Sequence, residues 1–436
     1  MEVKIQDRSG LQPYLPPELH ELIINELEDE EDTLKHCALT CRLYMHPAQR
    51  LLFKVVVLQF RPESNPARKL LAILAQSPHI ANFVRCLSLR GNTTGHGHWF
   101  TEVQTPVPDD NGIAEVLCAL VNVTRLHIGG AQPLRTIFPP LSPASMAMVH
   151  SKCQSVLHLA VEYISDVPWA ILTNLNSVES LYLNNVHFLP VVSGQPAFQS
   201  VDLRMSFPHL KRVSCSTLCM DGVESFLQFL VQPTARGGLE SLSFNISNDW
   251  LSPSRADFQA VKAIIRNSAK TLKIVDVTLS TKLPVFLRND EPIFNVLTMP
   301  LLEEISLTAV ILNCETDLNF SPINLRWLSR HLETIPTCGR KFNKVSLHSI
   351  IIGASPAVIA AKLDNEGLKY FENLVLNVLL PQTHSVAVKF TLWRLYDDSR
   401  EAETLIRQHL PALEARNLLK FIIAPIASLN HSGLTS

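Results

Sequence analysis

Four short clusters in this 436-residue chain carry residue types able to do chemistry. Gly95-His96-Gly97-His98 places two imidazoles two residues apart, and imidazole nitrogens are common metal ligands. No Cys or carboxylate stands at the regular spacing that would complete a tetrahedral set, so a solvated loop is the simpler reading. Cys37-x-x-x-Cys41 and Cys215-x-x-x-Cys219 sit one helical turn apart. That is equally the spacing of a buried helix face, and free Cys is among the most buried residue types, so both pairs read as core. The acidic run Glu28 to Asp32 reads as a solvated turn, not as paired catalytic carboxylates. The chain contains no His-Glu-x-x-His, no phosphate loop and no Gly-x-Ser-x-Gly elbow. The expectation is a protein that is not an enzyme and needs no cofactor or metal. A hydrolase with an unrecognised site is the alternative.

Composition narrows the class. Apolar residues make up 46% of the chain and charged residues 18%, with a net charge of −2. This is a globular composition, with no basic surplus pointing to nucleic acid and no acidic surplus pointing to a solvating tail. Nine cysteines are scattered without a C-x-x-C pair. An odd, dispersed set suits reduced thiols in a cytoplasmic or nuclear protein better than a disulfide framework. The opening MEVKIQDRSG has no apolar run like that of a secretory signal, and Ser349 to Ala361 is too short for a membrane span. Neither membrane nor nucleic acid is expected as a partner.

The elements that would position functional residues begin at Tyr14. Pro16 and Pro17 favour a helix start, because proline lacks an N–H that the first turn does not need. Leu19, Leu22, Ile23 and Leu27 recur at helical spacing, and Ile24 falls off that stripe. A second helix carries Leu34, Cys37, Ala38, Cys41 and Met45 on one face, with Leu39 pointing elsewhere. Pro47 is expected to open a third turn holding Leu51, Leu52 and Phe53, before a strand at Val55 to Leu58. Such a small helical unit seldom stabilises itself. Ile24, Leu39 and the Leu15-Pro16 entry are left as a second apolar surface, which either packs on the rest of the chain or docks another protein.

Leu15-Pro16-Pro17-Glu18-Leu19, Ile23-Ile24, Leu27, Leu34, Cys37-Ala38-Leu39, Cys41-Arg42 and Leu52-Phe53 together resemble an F-box. The pattern is most similar to the F-box-like domain of a large fungal family, in which a segment like Ser77 to Leu87 commonly follows. Tyr44 stands where the usual pattern has Trp. The resemblance implies docking to a Skp-type adaptor and, through it, a cullin scaffold. It implies that Leu15, Pro16, Ile23, Ile24, Leu27, Leu39 and Cys41 contribute. Spacing leaves open which of these face the adaptor and which face the unit's own core.

Beyond Leu89 a cadence of apolar, two residues, apolar, one residue, apolar recurs up to Phe371-x-x-Leu374-x-Leu376. The last apolar pairs, from Leu87/Leu89 through Leu157/Leu159 to Leu374/Leu376, recur at a mean interval of about 32 residues, inside the range of solenoid repeats. The expected fold class is α/β: a small N-terminal helical F-box-like module followed by an irregular leucine-rich-repeat-like solenoid. The expected boundaries are 14–60 for the helical domain, 61–78 for a linker and helix, 79–425 for the solenoid with its cap, and 426–436 for a tail. Gly91 to Asn111 and Gly129 to Pro143 read as long loops. Residues between or just after the apolar pairs would form a polar binding face: Ser88, Arg90, His127, His158, Tyr182, Asn184, Ser243, Asn245, Asp276, Ser306, His348 and Asn377. The resulting expectation is a substrate-recognition subunit of a Skp–cullin–F-box ubiquitin ligase whose repeat region holds an unknown target protein. The alternative is a repeat scaffold without a ligase role, capped by its N-terminal helices.

Overall fold

In a computed structural model, the described residues are 16–59, 65–91, 112–130, 136–137, 142–188, 207–216, 230, 238–246, 255–280, 294–312, 325–333, 335, 341–352, 365–394 and 399–425. The expectations for Leu15, His96, His98, Cys219 and the tail 426–436 lie outside them, as do most of the two long loops and of the helix read at 222–232.

The chain opens with three helices: α1 (Pro17–Asn25), α2 (Glu31–Thr40) and α3 (Arg42–Leu52). Pro17 fills the first turn of α1. Cys41 is extended, at φ −152° and ψ 155°, and breaks the helical run between α2 and α3. Pro47 lies inside α3 rather than opening it, which corrects the expected start. Strand β1 (Val55–Gln59) follows directly. Helix α4 (Pro66–Gln76) is capped by Asn65, whose side chain accepts from the Arg68 N–H.

The remaining strands are β2 (Cys86–Arg90), β3 (Arg125–Gly129), β4 (Thr136–Ile137), β5 (His158–Val167), β6 (Ser180–Phe188), β7 (Arg212–Ser216), β8 (Ser241–Ile246), β9 (Ile274–Ser280), β10 (Glu304–Leu312), β11 (Phe342–Ile352), β12 (Thr383–Arg394) and β13 (Leu419–Pro425). They form one sheet whose order follows the chain, with β4 beside β5 off the main path. Every pairing is parallel. One face carries an unbroken apolar row, Leu87–Leu126–Leu159–Leu181–Val213–Leu242–Val275–Ile305–Val345, in strict register. Those side chains share a single core with Leu70 and Leu74 of α4, with Val116 and Leu117 of the helix Ile113–Ala119, and with Val149 and Cys153 of the helix Pro143–Ser155. Helices therefore cover one face, and alternation turns the intervening residues to the other.

This arrangement overturns the expected fold class. The molecule is an α/β arrangement on one all-parallel sheet, twelve strands along its path and β4 beside it, not a small helical module followed by a leucine-rich-repeat solenoid. β1, which belongs to the front segment, is the first strand of the sheet and pairs with β2. Strand length is uneven along the chain, five residues in β1, ten in β5, five in β7 and twelve in β12. The apolar cadence reported the one-sided burial of these strands, a property of each strand and not of a repeating unit. Its last copy is not a strand: Phe371 and Leu374 lie in the helix Asn365–Leu374 and Leu376 in the π-helical turn after it. The Gly129–Pro143 loop is interrupted by β4.

Candidate functional site

The front helices enclose a small core of Ile24, Leu34 and Ala48, separate from the core of the sheet. Leu27, Cys37, Ala38, Tyr44, Leu51 and Leu52 pack around it. The small Ala48 side chain on α3 leaves room for Ile24. The two faces of α1 are thus the reverse of the expected ones. Ile24 is 1% exposed, while Leu22 and Ile23 are 57% and 51% exposed. Leu19, Leu43 and Met45 also face solvent, and Leu39 is 86% exposed. Of the expected docking residues, Pro16, Ile23, Leu39 and Cys41 are exposed, Leu27 is half-buried and Ile24 is sealed. Sequence reasoning left Leu19, Leu22, Leu43 and Met45 out of the docking set. Tyr44 faces inward, its ring 5.4 Å from that of His20. The unit is tied to the turn before β2 by Gln49 to His79 at 3.2 Å and by an edge-on contact of the His46 and Phe83 rings at 4.9 Å.

On the open face of the sheet, register brings the expected polar residues into rows. One row runs Ser88–His127–Ala160–Tyr182–Ser214–Ser243–Asp276–Ser306–Ser346. The next runs Arg90–Gly129–Glu162–Asn184–Ser216–Asn245–Thr278–Thr308–His348. His158 lies in the row before, between Arg125 and Ser180. Asn377 is not on the sheet; it lies in the π-helical turn Val375–Leu379.

A directional chain of hydrogen bonds crosses β2, β3 and β5. Arg90 Nε donates to Ser88 Oγ at 3.2 Å, and Ser88 Oγ lies 2.9 Å from His127 Nδ1. His127 Nε2 lies 3.1 Å from Glu162 Oε2. A guanidinium only donates, so the Ser88 hydroxyl proton is free to point at Nδ1, and Nε2–H then donates to the carboxylate. The order matches nucleophile, base and orienting acid. Ser88 is only 3% exposed, however, and its oxygen is enclosed by these partners. The geometry orders the sheet surface and leaves the hydroxyl no open approach. Gly129 makes the crossing possible: a Cβ there would lie 2.8 Å from the Glu162 carbonyl oxygen and 3.0 Å from His127 Nε2.

Other groups on this face are shifted by burial. Asp276 accepts from Ser243 Oγ at 3.1 Å, and burial raises its pKa against that bond and the one from Ser306. His348 sits 2.8 Å from Thr391 Oγ1, and burial pushes its pKa down to about 4, with Lys389 adding to the effect. Burial pushes Tyr182 up to about 12. Tyr163, beside Glu162, is held at φ 50°, an uncommon conformation for a bulky residue.

Among the described residues, no group of three or more His, Cys, Asp or Glu could hold a metal ion. No described helix is long and apolar enough to cross a membrane. Compared with family models, with curated proteins and with solved structures, the chain finds no match in any of the three.

Proposed function

We propose that the protein is a non-enzymatic substrate-recognition subunit of a Skp–cullin–F-box ubiquitin ligase. Its front helices dock a Skp-type adaptor, and the open face of its sheet holds a target protein. The observation that carries the reading is the apolar surface left uncovered on α1 to α3, with Leu39 86% exposed and Leu22 and Ile23 beside each other in the open. Scattered exposed apolar side chains need no explanation, but several gathered on one small helical unit mark an interaction surface. The F-box-like run of residues supplies the kind of partner. The docking set is now Pro16, Leu19, Leu22, Ile23, Leu39, Cys41 and Leu43, without Ile24. Bringing target and transfer machinery into one complex would act through effective concentration.

The test is co-expression with a Skp-type adaptor. Ile23→Asp with Leu39→Asp should abolish co-purification while the protein stays folded. Unchanged co-purification would refute the docking role. A second reading is an interaction scaffold without a ligase role, whose front helices serve as a cap. The direct passage from α3 into the edge strand β1 favours it.

A further inference from the structure

The first strands of the sheet carry two exposed arginines that no ion pair among the described residues engages. Arg125, His158, Ser180 and Arg212 lie side by side in one row across β3, β5, β6 and β7. Their neighbours along the chain, Leu126, Leu159, Leu181 and Val213, are core residues. Alternation therefore puts all four side chains on the open face. Arg125 and Arg212 are both exposed. Neither forms an ion pair with a carboxylate among the described residues.

The carboxylates nearby are already engaged. Glu162 meets His127 at 3.1 Å, Glu179 meets Lys211 at 3.1 Å, and Glu240 meets Lys273 at 3.0 Å. His158 reports the resulting field. Its pKa is lowered by burial first and then by Arg125 and Arg212, with Glu179 opposing them. Two exposed guanidiniums flanking a histidine and a serine on one row favour an anionic partner that reaches both.

Geometry limits what the anion can be. Arg125 and Arg212 are separated by three strand spacings, about 14 Å at roughly 4.8 Å each. An extended peptide lying across the strands repeats its side chains on one side about every 7 Å. Acidic residues four apart would then meet the two arginines, with the intervening one over His158 and Ser180. A guanidinium fork suits carboxylate and phosphoryl oxygens alike.

We propose that the row Arg125–His158–Ser180–Arg212 is a recognition site for an acidic, extended segment of another protein. The inference deepens the target-binding half of the function proposed above. The adaptor takes no part in its test, so the two can fail separately.

The test uses the full chain and fluorescein-labelled nonapeptides alternating Gly with Glu, Gly with phosphoserine, or Gly with Ser, read by fluorescence anisotropy. One or both acidic peptides should bind, and the neutral one should not. The tighter of the two acidic peptides identifies carboxylate or phosphoryl as the preferred group. Arg125→Ala with Arg212→Ala should weaken binding at least tenfold without lowering the melting temperature. Arg266→Ala, on the helix Arg255–Ser268, should leave it unchanged. The idea is overturned if neither acidic peptide binds, or if the double variant binds as the wild type does. It is also overturned if the Arg266 variant loses as much. Tighter binding of a single-stranded oligonucleotide through the same two arginines would replace the peptide with nucleic acid.

Discussion

Ile24 and Leu39 are similar apolar side chains in adjacent helices, and the fold uses them in opposite ways. Ile24 fills the core against Leu34 and Ala48, and Leu39 touches little. Ile24→Ala should therefore destabilise the front helices by about 2–5 kcal/mol, the usual cost of emptying a packed site. Leu39→Asp should change stability by no more than about 0.5 kcal/mol. Urea unfolding followed by circular dichroism at 222 nm separates the two. The swap of faces on α1 was not legible because Leu22, Ile23 and Ile24 are consecutive, and spacing alone ranks neither side as inner. The partners that enclose Ile24, Leu34 and Ala48, lie farther along the chain.

His348 carries a pH prediction. Its pKa falls from 6.5 to about 4 on folding, chiefly through burial. Between those values the unfolded chain binds a proton that the folded one does not, so stability rises with pH. Stability contributed by this group is complete above pH 6.5 and is lost as pH drops toward 4, by on the order of 3 kcal/mol. His158 is shifted the same way and adds to the slope. His348→Gln should flatten the decline of melting temperature between pH 7 and pH 4. An unchanged slope would show that the imidazole protonates freely in the folded protein.

At the scale of elements, β3 and β5 approach closely because Gly129 has no Cβ. Gly129→Ala would press on the backbone oxygen of Glu162 and on the His127 ring. The expected cost is about 1–3 kcal/mol, as in other overpacked sites, read as a lower melting temperature. Loss of the His127 to Glu162 contact should accompany it, visible as a shift of the His127 ring signals in NMR. Much of the strand layer was legible, since Leu126/Ile128, Leu181/Leu183, Leu242/Phe244, Val275/Val277 and Ile305/Leu307 all point to the core. The copy read as Leu157/Leu159 is displaced by two residues; register shows Leu159/Val161. That slip hid Glu162, which directly follows the true pair. Arg125 and Arg212 were missed for a different reason: they precede their pairs, where no partner was sought.

Across the whole molecule, the error of reading repeats came from treating a strand pattern as a unit pattern. Period-two burial belongs to one strand, and nothing in it states how neighbouring strands are joined. The separate cores of the front helices and the sheet carry their own prediction. Removing residues 1–52 keeps Phe53 and β1, so the sheet should stay folded and melt cooperatively within a few degrees of the full chain. Collapse of the shortened chain, seen by circular dichroism, would favour the cap reading over the adaptor-docking one.

The central claim, that the exposed side of α1 to α3 receives a Skp-type adaptor, is tested most directly by calorimetric titration of the purified full chain with that adaptor. The account predicts one-to-one binding that weakens at least a hundredfold in the Ile23→Asp, Leu39→Asp double variant and persists in Arg125→Ala, Arg212→Ala. Absence of binding by the wild-type chain, or equal binding by the double aspartate variant, would contradict it.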